Sequence, residues 1–355
     1  MPSARLWPGA EGGFLSGVNL PWLDYGCDFG ANAWQPNGGL ARADRRERLR
    51  LVLARLRDAG VRLVRWFWLC DGRSGLRAAG DEPLGLDEHV MADLDSSLEL
   101  LGQHDIRVMP VLLDFLWFQR RKTVNGVALG GRGRMALEPS RAVLIERVFE
   151  PLLARFGASD VVFAWDVMNE PEWATRAGVR RRASTVDAGA MRSFLRDLVA
   201  CAHQSTRHPV TVGLASAKGL PLVRDLELDF YQVHWYDSVG RECSPDRPVA
   251  PLCLDRPILL GEFPTRGSAF AASALLESAR QSGYAGALAW SVLADDDASD
   301  GVAALAVDPD RGGLDRSPDV AARDEAEPGR GLAGDLGHEH ETGVEDDAHA
   351  IRKRE

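Results

Sequence analysis

Residues 43–69, ADRRERLRLVLARLRDAGVRLVRWFWL, combine an amphipathic segment and an apolar run in one short unit. Four apolar residues of the first part recur at the spacing of one helical face: Leu49, Val52, Leu53 and Leu56. Gly60 follows as a helix stop signal. The run from Val61 to Leu69 is apolar nearly throughout, which is typical of a parallel strand covered on both faces. This unit therefore predicts a surface helix followed by a buried strand.

The same alternation runs from about residue 14 to residue 295. The predicted strands are Phe14–Leu20, Val61–Leu69, Arg107–Phe115, Val161–Met168, Val210–Ala215, Phe230–Tyr236, Ile258–Phe263 and Gly286–Leu293. Further helices are predicted over Asp87–Gln103, Ser140–Phe156, Asp187–His203 and Ser268–Ser282, and a long loop over residues 237–256. Eight strands in this alternation predict an α/β fold, a closed (β/α)8 TIM barrel in a single domain over residues 1–307. An open doubly wound sheet is the alternative, but no Gly-rich phosphate loop follows the first strand.

The C-terminal segment has a different composition. Residues 308–355 are rich in Gly, Pro, Asp, Glu and Arg and contain few large apolar residues. Such a segment cannot bury an apolar face, so we predict a low-complexity, disordered acidic tail. No eighth helix can be recognised after Leu293. His338 and His340 have a spacing that could bind a metal, but a solvated tail is the preferred interpretation.

Composition limits the classes of partner and the compartment. The formal charge of -10 argues against a nucleic-acid or anionic membrane surface, and no apolar stretch is long enough to span a membrane. The N-terminus has no apolar signal-peptide core, which predicts a cytoplasmic protein, or a secreted one if the true start lies upstream. Five scattered cysteines indicate free thiols, with a Cys243–Cys253 bridge as the alternative. The oligomeric state is left open.

Polar side chains cluster near the ends of the predicted strands, which is where barrel enzymes carry their active groups. They are Arg65, Asp114, Asn169, Glu170, His234, Tyr236, Glu262 and Trp290. Glu170 and Glu262 each follow an apolar strand, so both should project from the barrel mouth. Hydrolysis of a glycosidic bond needs one carboxyl to protonate the leaving oxygen and a second to meet the charge at the anomeric carbon. This pair therefore points to glycosidase chemistry.

Four segments carry a resemblance to a known group of enzymes. WDVMNEP (165–171), VHWY (233–236), LLGEF (259–263) and AWS (289–291) resemble signature segments of the retaining (β/α)8 glycoside hydrolase clan. This clan includes the cellulases and β-mannanases, and glycoside hydrolase family five is its best-known member. The resemblance runs from about Gly17 to Trp290. Its most specific element is the combination of Asn-Glu-Pro after the fourth strand with Gly-Glu-Phe at the end of the seventh.

The resemblance implies a role for each of the two glutamates. Glu170 would be the general acid/base and Glu262 the nucleophile of a double displacement on β-linked glucosides or mannosides. The mechanism requires Glu170 to start protonated and Glu262 to stay charged. Retention requires carboxyl groups about 5–5.5 Å apart. The substrate would be an oligosaccharide or a polysaccharide, and no cofactor or metal is needed.

The resemblance also assigns the surrounding residues. Asn169 would hold the hydroxyl next to the anomeric carbon, and Arg65 and Tyr236 would hydrogen-bond the nucleophile. His234 would line the same subsite, and Trp290 would form a platform under the sugar at the cleavage point.

Some polar and aromatic residues have two possible roles. Asp114 stands where relatives often carry a His, so it is either a substrate contact or a cap of the following loop. Asp166 should be structural, inside the barrel. Six tryptophans near the strand ends either stack on sugars or belong to the core or rim: Trp22, Trp66, Trp68, Trp117, Trp173 and Trp235. Residues 295–297, all Asp, could bind calcium but suit a solvated turn better.

Two competing functions remain open at this point. One is a carbohydrate-binding barrel without catalysis, although every polar member of the catalytic set is present. The other is a metal-dependent barrel hydrolase, which would need histidines at the strand ends, where only His234 qualifies.

Overall fold

The computed structural model describes residues 13–175, 186–294 and 296–299. The strands in these ranges are β1 (Leu15–Asn19), β2 (Leu63–Phe67), β3 (Leu76–Ala79), β4 (Glu82–Leu86), β5 (Arg107–Val111), β6 (Lys122–Val124), β7 (Val127–Leu129), β8 (Trp165–Asn169), β9 (Val210–Leu214), β10 (Tyr231–His234), β11 (Ile258–Pro264) and β12 (Gly286–Trp290). Eight of them close into a parallel barrel in the order β1-β2-β5-β8-β9-β10-β11-β12. The pairing of β1 with β12 closes the ring and excludes the open sheet. The predicted TIM barrel is confirmed.

Helices follow most of the barrel strands. They are α1 (Ala43–Asp58), α2 (Val90–Gln103), α3 (Ser140–Leu144), α4 (Glu150–Phe156), α5 (Ala188–Ser205), α6 (Leu220–Val223) and α7 (Ala272–Ser282). A π-helical turn, Ile145–Phe149, joins α3 to α4, so the helix predicted over Ser140–Phe156 is present but irregular. The loop predicted after the sixth barrel strand contains only three short 3-10 turns in its described part.

The opening unit of the sequence folds as its pattern predicts. In α1 the side chains of Leu49, Leu53 and Leu56 are buried, which matches the predicted apolar face. The strand is shorter than predicted, because β2 covers only Leu63–Phe67 of the apolar run. All five residues of β2 are buried, as expected for a strand with a helix on one side and the barrel interior on the other.

Two β-hairpins inside the βα loops are absent from the sequence prediction. Strands β3 and β4 pair after β2, and β6 and β7 pair after β5. The second hairpin turns at Asn125 and Gly126, both at positive φ, which is the Asn-Gly signal of a two-residue hairpin. Because they lie in βα loops, both hairpins belong to the C-terminal end of the barrel, where barrel enzymes bind their substrates.

The barrel interior is layered from apolar to polar. One apolar cluster includes Leu63, Met109 and Phe163. Farther along the same strands, the interior positions are filled by the polar side chains of Arg65 and Asp166. The polar layer is therefore buried between this apolar cluster and the mouth of the barrel.

Several predicted features lie outside the described residues. These are the boundary at residue 307, the acidic tail over 308–355 with His338 and His340, any eighth helix beyond residue 299, and Asp295. All five cysteines are free thiols, so the alternative bridge between Cys243 and Cys253 is not formed. Among the described helices, none combines the length and the apolar character that a transmembrane span requires.

Candidate active site

Three candidate residues project from irregular strand ends. The strand pairing shifts register beside Asn169 in β8, His234 in β10 and Glu262 in β11. A bulge of this kind changes the direction in which a side chain points, and bulges are common next to active sites. The irregularities help to bring side chains from three strands to one point above the barrel.

Glu262 is completely buried, and each of its carboxylate oxygens accepts a strong hydrogen bond. Arg65 Nη1 donates to Oε1 at 2.8 Å, and the Tyr236 hydroxyl donates to Oε2 at 2.6 Å. Hydrogen bonds from a cation or to an anion are about twice as strong as neutral ones. The carboxylate is thus held in one orientation at the end of β11.

Arg65 has a second set of partners below Glu262. Its Nε donates to Asp166 Oδ2 at 3.0 Å, and Nη2 donates to Asn169 Oδ1 at 2.8 Å. Nη1 also donates to Asn19 Oδ1 at 3.1 Å. The guanidinium is completely buried, so a rigid polar network connects three barrel strands beneath the site.

Asp166 completes this buried network. Its Oδ2 also accepts a hydrogen bond from Gln232 Nε2 at 2.7 Å, and its Oδ1 accepts one from the backbone N–H of Gly213 at 3.0 Å. The position inside the barrel is the one that the sequence predicts for Asp166. Its charge balances that of Arg65, because the two groups form a fully buried ion pair.

Glu170 follows β8 in an unusual backbone conformation. Its φ of 46° and ψ of 52° are left-handed, a conformation that costs a non-glycine residue about 1–3 kcal/mol. Its N–H donates to the carbonyl of Gly213 at 2.6 Å, which anchors it to the neighbouring strand β9. Its carboxyl is buried beside His234, with 2.9 Å between Oε1 and Nδ1.

The two glutamates meet across His234. One oxygen of Glu170, one oxygen of Glu262 and a ring nitrogen of His234 lie within 4.8 Å of one another. His234 Nδ1 is 3.5 Å from Glu262 Oε1. Its Nε2 is buried and has no hydrogen-bond partner among the described residues, which leaves this atom for a bound molecule.

Asn169 and Asp114 form a pair at the edge of the site. Asn169 Nδ2 donates to Asp114 Oδ2 at 2.7 Å, and the N–H of Leu116 donates to Asp114 Oδ1 at 2.8 Å. Asp114 therefore caps the turn Phe115–Phe118, which is one of its two predicted roles, and also orients Asn169. A contact between Asp114 and the substrate stays a prediction.

Trp290 lies in an apolar cluster at the barrel mouth. It packs with Phe67, Val111 and Tyr236, and its Nε1 donates to Asp296 Oδ2 at 2.9 Å. Asp296 also accepts from the N–H of Ala298, which makes it part of a turn. The role of Trp290 as a sugar platform stays a prediction.

The other tryptophans divide into two groups. Four of them are buried in the core: Trp66, Trp68, Trp117 and Trp235. Trp22 and Trp173 are half-buried, so only these two of the six retain a face for a ligand.

The long segment after β1 is organised by Asp28, whose carboxylate accepts hydrogen bonds from the N–H of Leu23 and from Trp66 Nε1.

Sequence reasoning missed two residues of the polar network. Asn19 Nδ2 donates to the carbonyl of Gly261 at 2.9 Å and so connects β1 to the strand that carries Glu262. Gln232 binds Asp166 from β10. Each is a single amide inside an apolar strand, and that is the signal that could have identified it, because a buried polar group needs a partner.

The cluster of Glu170, His234 and Glu262 has the donor types of a metal site, but its surroundings fit one poorly. Arg65 donates to Glu262 at 2.8 Å, which places a fixed positive charge beside any cation bound there. Both oxygens of Glu262 are already engaged by Arg65 and Tyr236.

We therefore expect the glycosidase activity predicted from the sequence to be independent of divalent metals. Prolonged incubation with EDTA, followed by removal of the chelator, should leave the rate of hydrolysis unchanged within about twofold. The matched measurement adds Zn²⁺ or Mg²⁺ to the treated protein. A rate that is lost with EDTA and restored by a metal would contradict this arrangement.

Three buried carboxyls give the fold an unusual pH dependence. Burial raises the pKa of Asp114 to about 8, of Glu172 to about 8 and of Asp28 to about 6. Both carboxylate oxygens of Glu172 are buried, and neither accepts a hydrogen bond of normal geometry from the described residues. The charge of Glu170 raises the pKa of Glu172 further. Between about pH 4 and pH 8 the folded state thus binds more protons at these groups than the unfolded chain does.

Stability should therefore fall as the pH rises through this window. The free energy of unfolding, measured in urea, should be larger at about pH 5 than at about pH 8 by at least about 1 kcal/mol. Glu172→Gln places a neutral amide at one of the three positions and should reduce this slope. Glu88→Gln, at a side chain that is 88% exposed, is the matched control. A slope that is flat in the wild type, or unchanged in Glu172→Gln, would count against the assignment.

Comparison with known proteins finds β-mannanases. No protein-family model matches the chain. A mannan endo-1,4-beta-mannosidase of Mytilus edulis is 23% identical over 319 residues, which cover 78% of this chain and 83% of that protein. The structure of an endo-1,4-beta-mannanase from Eisenia fetida has a TM-score of 0.69 at 22% identity, over 82% of this chain and 89% of that one. A β-mannanase structure from the blue mussel Mytilus edulis has a TM-score of 0.67 at 21% identity, over 83% and 90%.

This chain shares their fold. The agreement extends over most of each chain, and it matches the resemblance to (β/α)8 glycoside hydrolases that the sequence segments carry.

Proposed function

We propose that the chain is a retaining glycoside hydrolase that cleaves β-linked mannosides, with Glu170 as acid/base and Glu262 as nucleophile. The observation that carries this proposal is the approach of the two carboxyl groups, which have oxygens within 4.8 Å of each other. A retaining enzyme needs its carboxyls about 5–5.5 Å apart, whereas an inverting enzyme needs about 6.5–9.5 Å to admit a water molecule.

In the first step the substrate binds with its scissile bond between the two carboxyls. Glu262 attacks the anomeric carbon, and Glu170 gives its proton to the leaving glycosidic oxygen. A glycosyl–enzyme ester forms at Glu262, and the rest of the sugar chain departs. Arg65 and Tyr236 hold the attacking carboxylate in line, so little reorganisation is needed as its charge moves onto the sugar.

In the second step Glu170 changes its role. Its carboxylate removes a proton from water, and the hydroxide attacks the anomeric carbon and displaces Glu262. Two inversions give net retention. The contact between His234 Nδ1 and Glu170 Oε1, at 2.9 Å, helps to hold the carboxyl that exchanges the proton in both steps.

The surrounding amides and rings would position the sugar. Asn169 uses one N–H and its oxygen within the protein, which leaves its second N–H for the hydroxyl next to the anomeric carbon. His234 Nε2 is a further polar contact without a protein partner among the described residues. Trp290 would stack on the apolar face of the sugar ring.

The choice of mannosides rests on the names of the similar proteins, which are β-mannanases. The experiment is hydrolysis of mannohexaose and cellohexaose, with products followed by chromatography. We expect kcat/KM for the mannoside to exceed that for the glucoside by about tenfold or more, since one mispositioned hydroxyl costs at least about 1.4 kcal/mol. Faster cleavage of the glucoside would overturn the substrate, and cleavage of neither would overturn the function.

A further inference from the structure

A cavity lies at the same end of the barrel as the two glutamates. Its volume is about 260 Å³, and its walls come from the segments that follow β1, β2 and β5. Segments after parallel barrel strands all lie at the C-terminal end. The described lining contains Arg73, Arg121 and Arg132 together with several glycines, and none of its residues is Asp or Glu.

Arg132 is a buried cation with no ion-pair partner among the described residues. Its Nη1 and Nη2 donate to the backbone carbonyls of Gly130 at 3.0 Å and Gly72 at 2.6 Å. Its Nε is buried without a partner, and no carboxylate of the described residues lies within ion-pair distance of it. Burial lowers the pKa of this guanidinium, and the charges of Asp71 and Asp81 offset part of this effect while that of Arg121 adds to it. Within the described residues this charge is met by the two carbonyls and by the ring of Trp117, whose centre lies 5.4 Å from Cζ, and none of these partners is an anion.

The other two arginines strengthen the positive charge. Arg121 is exposed and has no ion-pair partner among the described residues. Arg73 donates to Asp71, with 2.8 Å between Nη2 and Oδ2, and this ion pair cancels one charge. Within the described residues, two of the three guanidinium groups thus have no ion-pair partner.

A row of aromatic rings connects the cavity to the proposed cleavage site. The Arg73 guanidinium lies 4.2 Å from the ring centre of Tyr25, whose ring is 4.6 Å from that of Trp22. Trp22 in turn lies 6.2 Å from Trp290, the proposed sugar platform. A sugar chain lying along these rings would bring its further units to the arginines.

We propose that this cavity binds an oxyanion, a carboxylate or a sulfate, carried by the polysaccharide substrate several sugar units from the bond that is cleaved. The inference rests on the proposed glycosidase function. Arginine suits both groups, because its planar guanidinium donates two parallel hydrogen bonds to them. A neutral mannan offers only hydroxyl oxygens to the Nε–H of Arg132, whereas a uronic-acid or sulfate group offers a charged acceptor, which makes the stronger hydrogen bond.

The test compares two pairs of substrates in the full chain. One pair is a mannan oligosaccharide with and without a uronic-acid side group, and the other is the same oligosaccharide with and without a sulfate ester. The variants are Arg121→Gln and Arg132→Gln, and Arg62→Gln is the matched control. Arg62 precedes β2, at the opposite end of the barrel, and its side chain is about half exposed. Binding of free glucuronate and of inorganic sulfate is measured separately by calorimetry, which does not depend on catalysis.

In the wild type, kcat/KM should be about tenfold higher for at least one anionic substrate than for its neutral partner. Both cavity variants should lose this preference while they keep the rate on the neutral substrate, and Arg62→Gln should keep both. Because Arg132 is buried, Arg121→Gln gives the answer if Arg132→Gln does not fold.

Three outcomes would overturn the inference. The first is equal rates on anionic and neutral substrates in the wild type. The second is a preference that survives in Arg121→Gln. The third is binding of free sulfate or glucuronate at the cavity without any substrate preference, which would make it a site for a free anion. If no mannoside is cleaved, the proposed function fails instead, and calorimetry still reports whether the arginines bind an anion.

Discussion

Replacing Glu262 by alanine should lower kcat on a β-1,4-mannan by about 10⁴-fold or more, because the variant has no nucleophile to form the glycosyl–enzyme ester. Substrate binding should change far less, since the tryptophans and Asn169 are untouched. The measurement is steady-state hydrolysis together with calorimetric binding of a mannan oligosaccharide. Turnover by the wild type separates this proposal from a carbohydrate-binding barrel, in which wild type and variant would bind equally and neither would turn over.

A small anion provides the control for this variant. The space left by the Glu262 side chain faces the anomeric carbon, so azide or formate can enter it and attack in its place. We expect partial recovery of activity on a substrate with a good leaving group, and a product of inverted configuration. Glu277→Ala, on the partly exposed face of α7, should retain the wild-type rate. Wild-type turnover by Glu262→Ala would remove this residue from the mechanism.

Replacing Arg65 by methionine should destabilise the protein by about 3–5 kcal/mol, because it leaves buried charges without a partner. Arg65 is completely buried between Asp166 at 2.9 Å and Glu262 at 2.8 Å. Methionine fills much of the same volume but carries neither charge nor donors. Activity should fall as well, since Glu262 loses the donor that orients Oε1.

The free energy of unfolding in urea measures the first effect. Arg62→Met, at an arginine three residues earlier whose side chain is about half exposed, should change it by less than about 0.5 kcal/mol. The double variant Arg65→Met, Asp166→Asn should recover part of the loss, because it removes one of the two buried carboxylate charges that Arg65→Met leaves without a partner. A loss below about 1 kcal/mol in Arg65→Met would mean that water already reaches this network.

The sequence was informative where a physical constraint acts on every residue of a segment. Strands buried on both faces must be apolar along their length, so the sequence predicts all eight barrel strands. Glu170 and Glu262 stood out because a carboxylate directly after such a strand has to lie at the barrel mouth. The ends of the strands were less predictable. The prediction for β5 ran on to Phe115, but Asp114 caps a 3-10 turn there and ends the strand early.

Short elements and buried partners were not predictable in the same way. The hairpin β6–β7 has only three residues in each strand, too few for a periodic pattern, although its Asn-Gly turn is a recognisable signal. The helix after β9 shrinks to the four residues of α6. A polar residue in an apolar strand shows that a partner must exist but not which one, so the pairing of Gln232 with Asp166 had to come from the structure.

The stereochemistry of the first product tests the central claim most directly. Hydrolysis of an aryl β-mannoside or a mannan oligosaccharide can be followed by proton NMR in the first minutes, before the two anomers of the released sugar equilibrate. Attack by Glu262 followed by water predicts that the β-anomer appears first. Initial release of the α-anomer would contradict the account, because a single displacement by water does not use a nucleophile held this close to the acid.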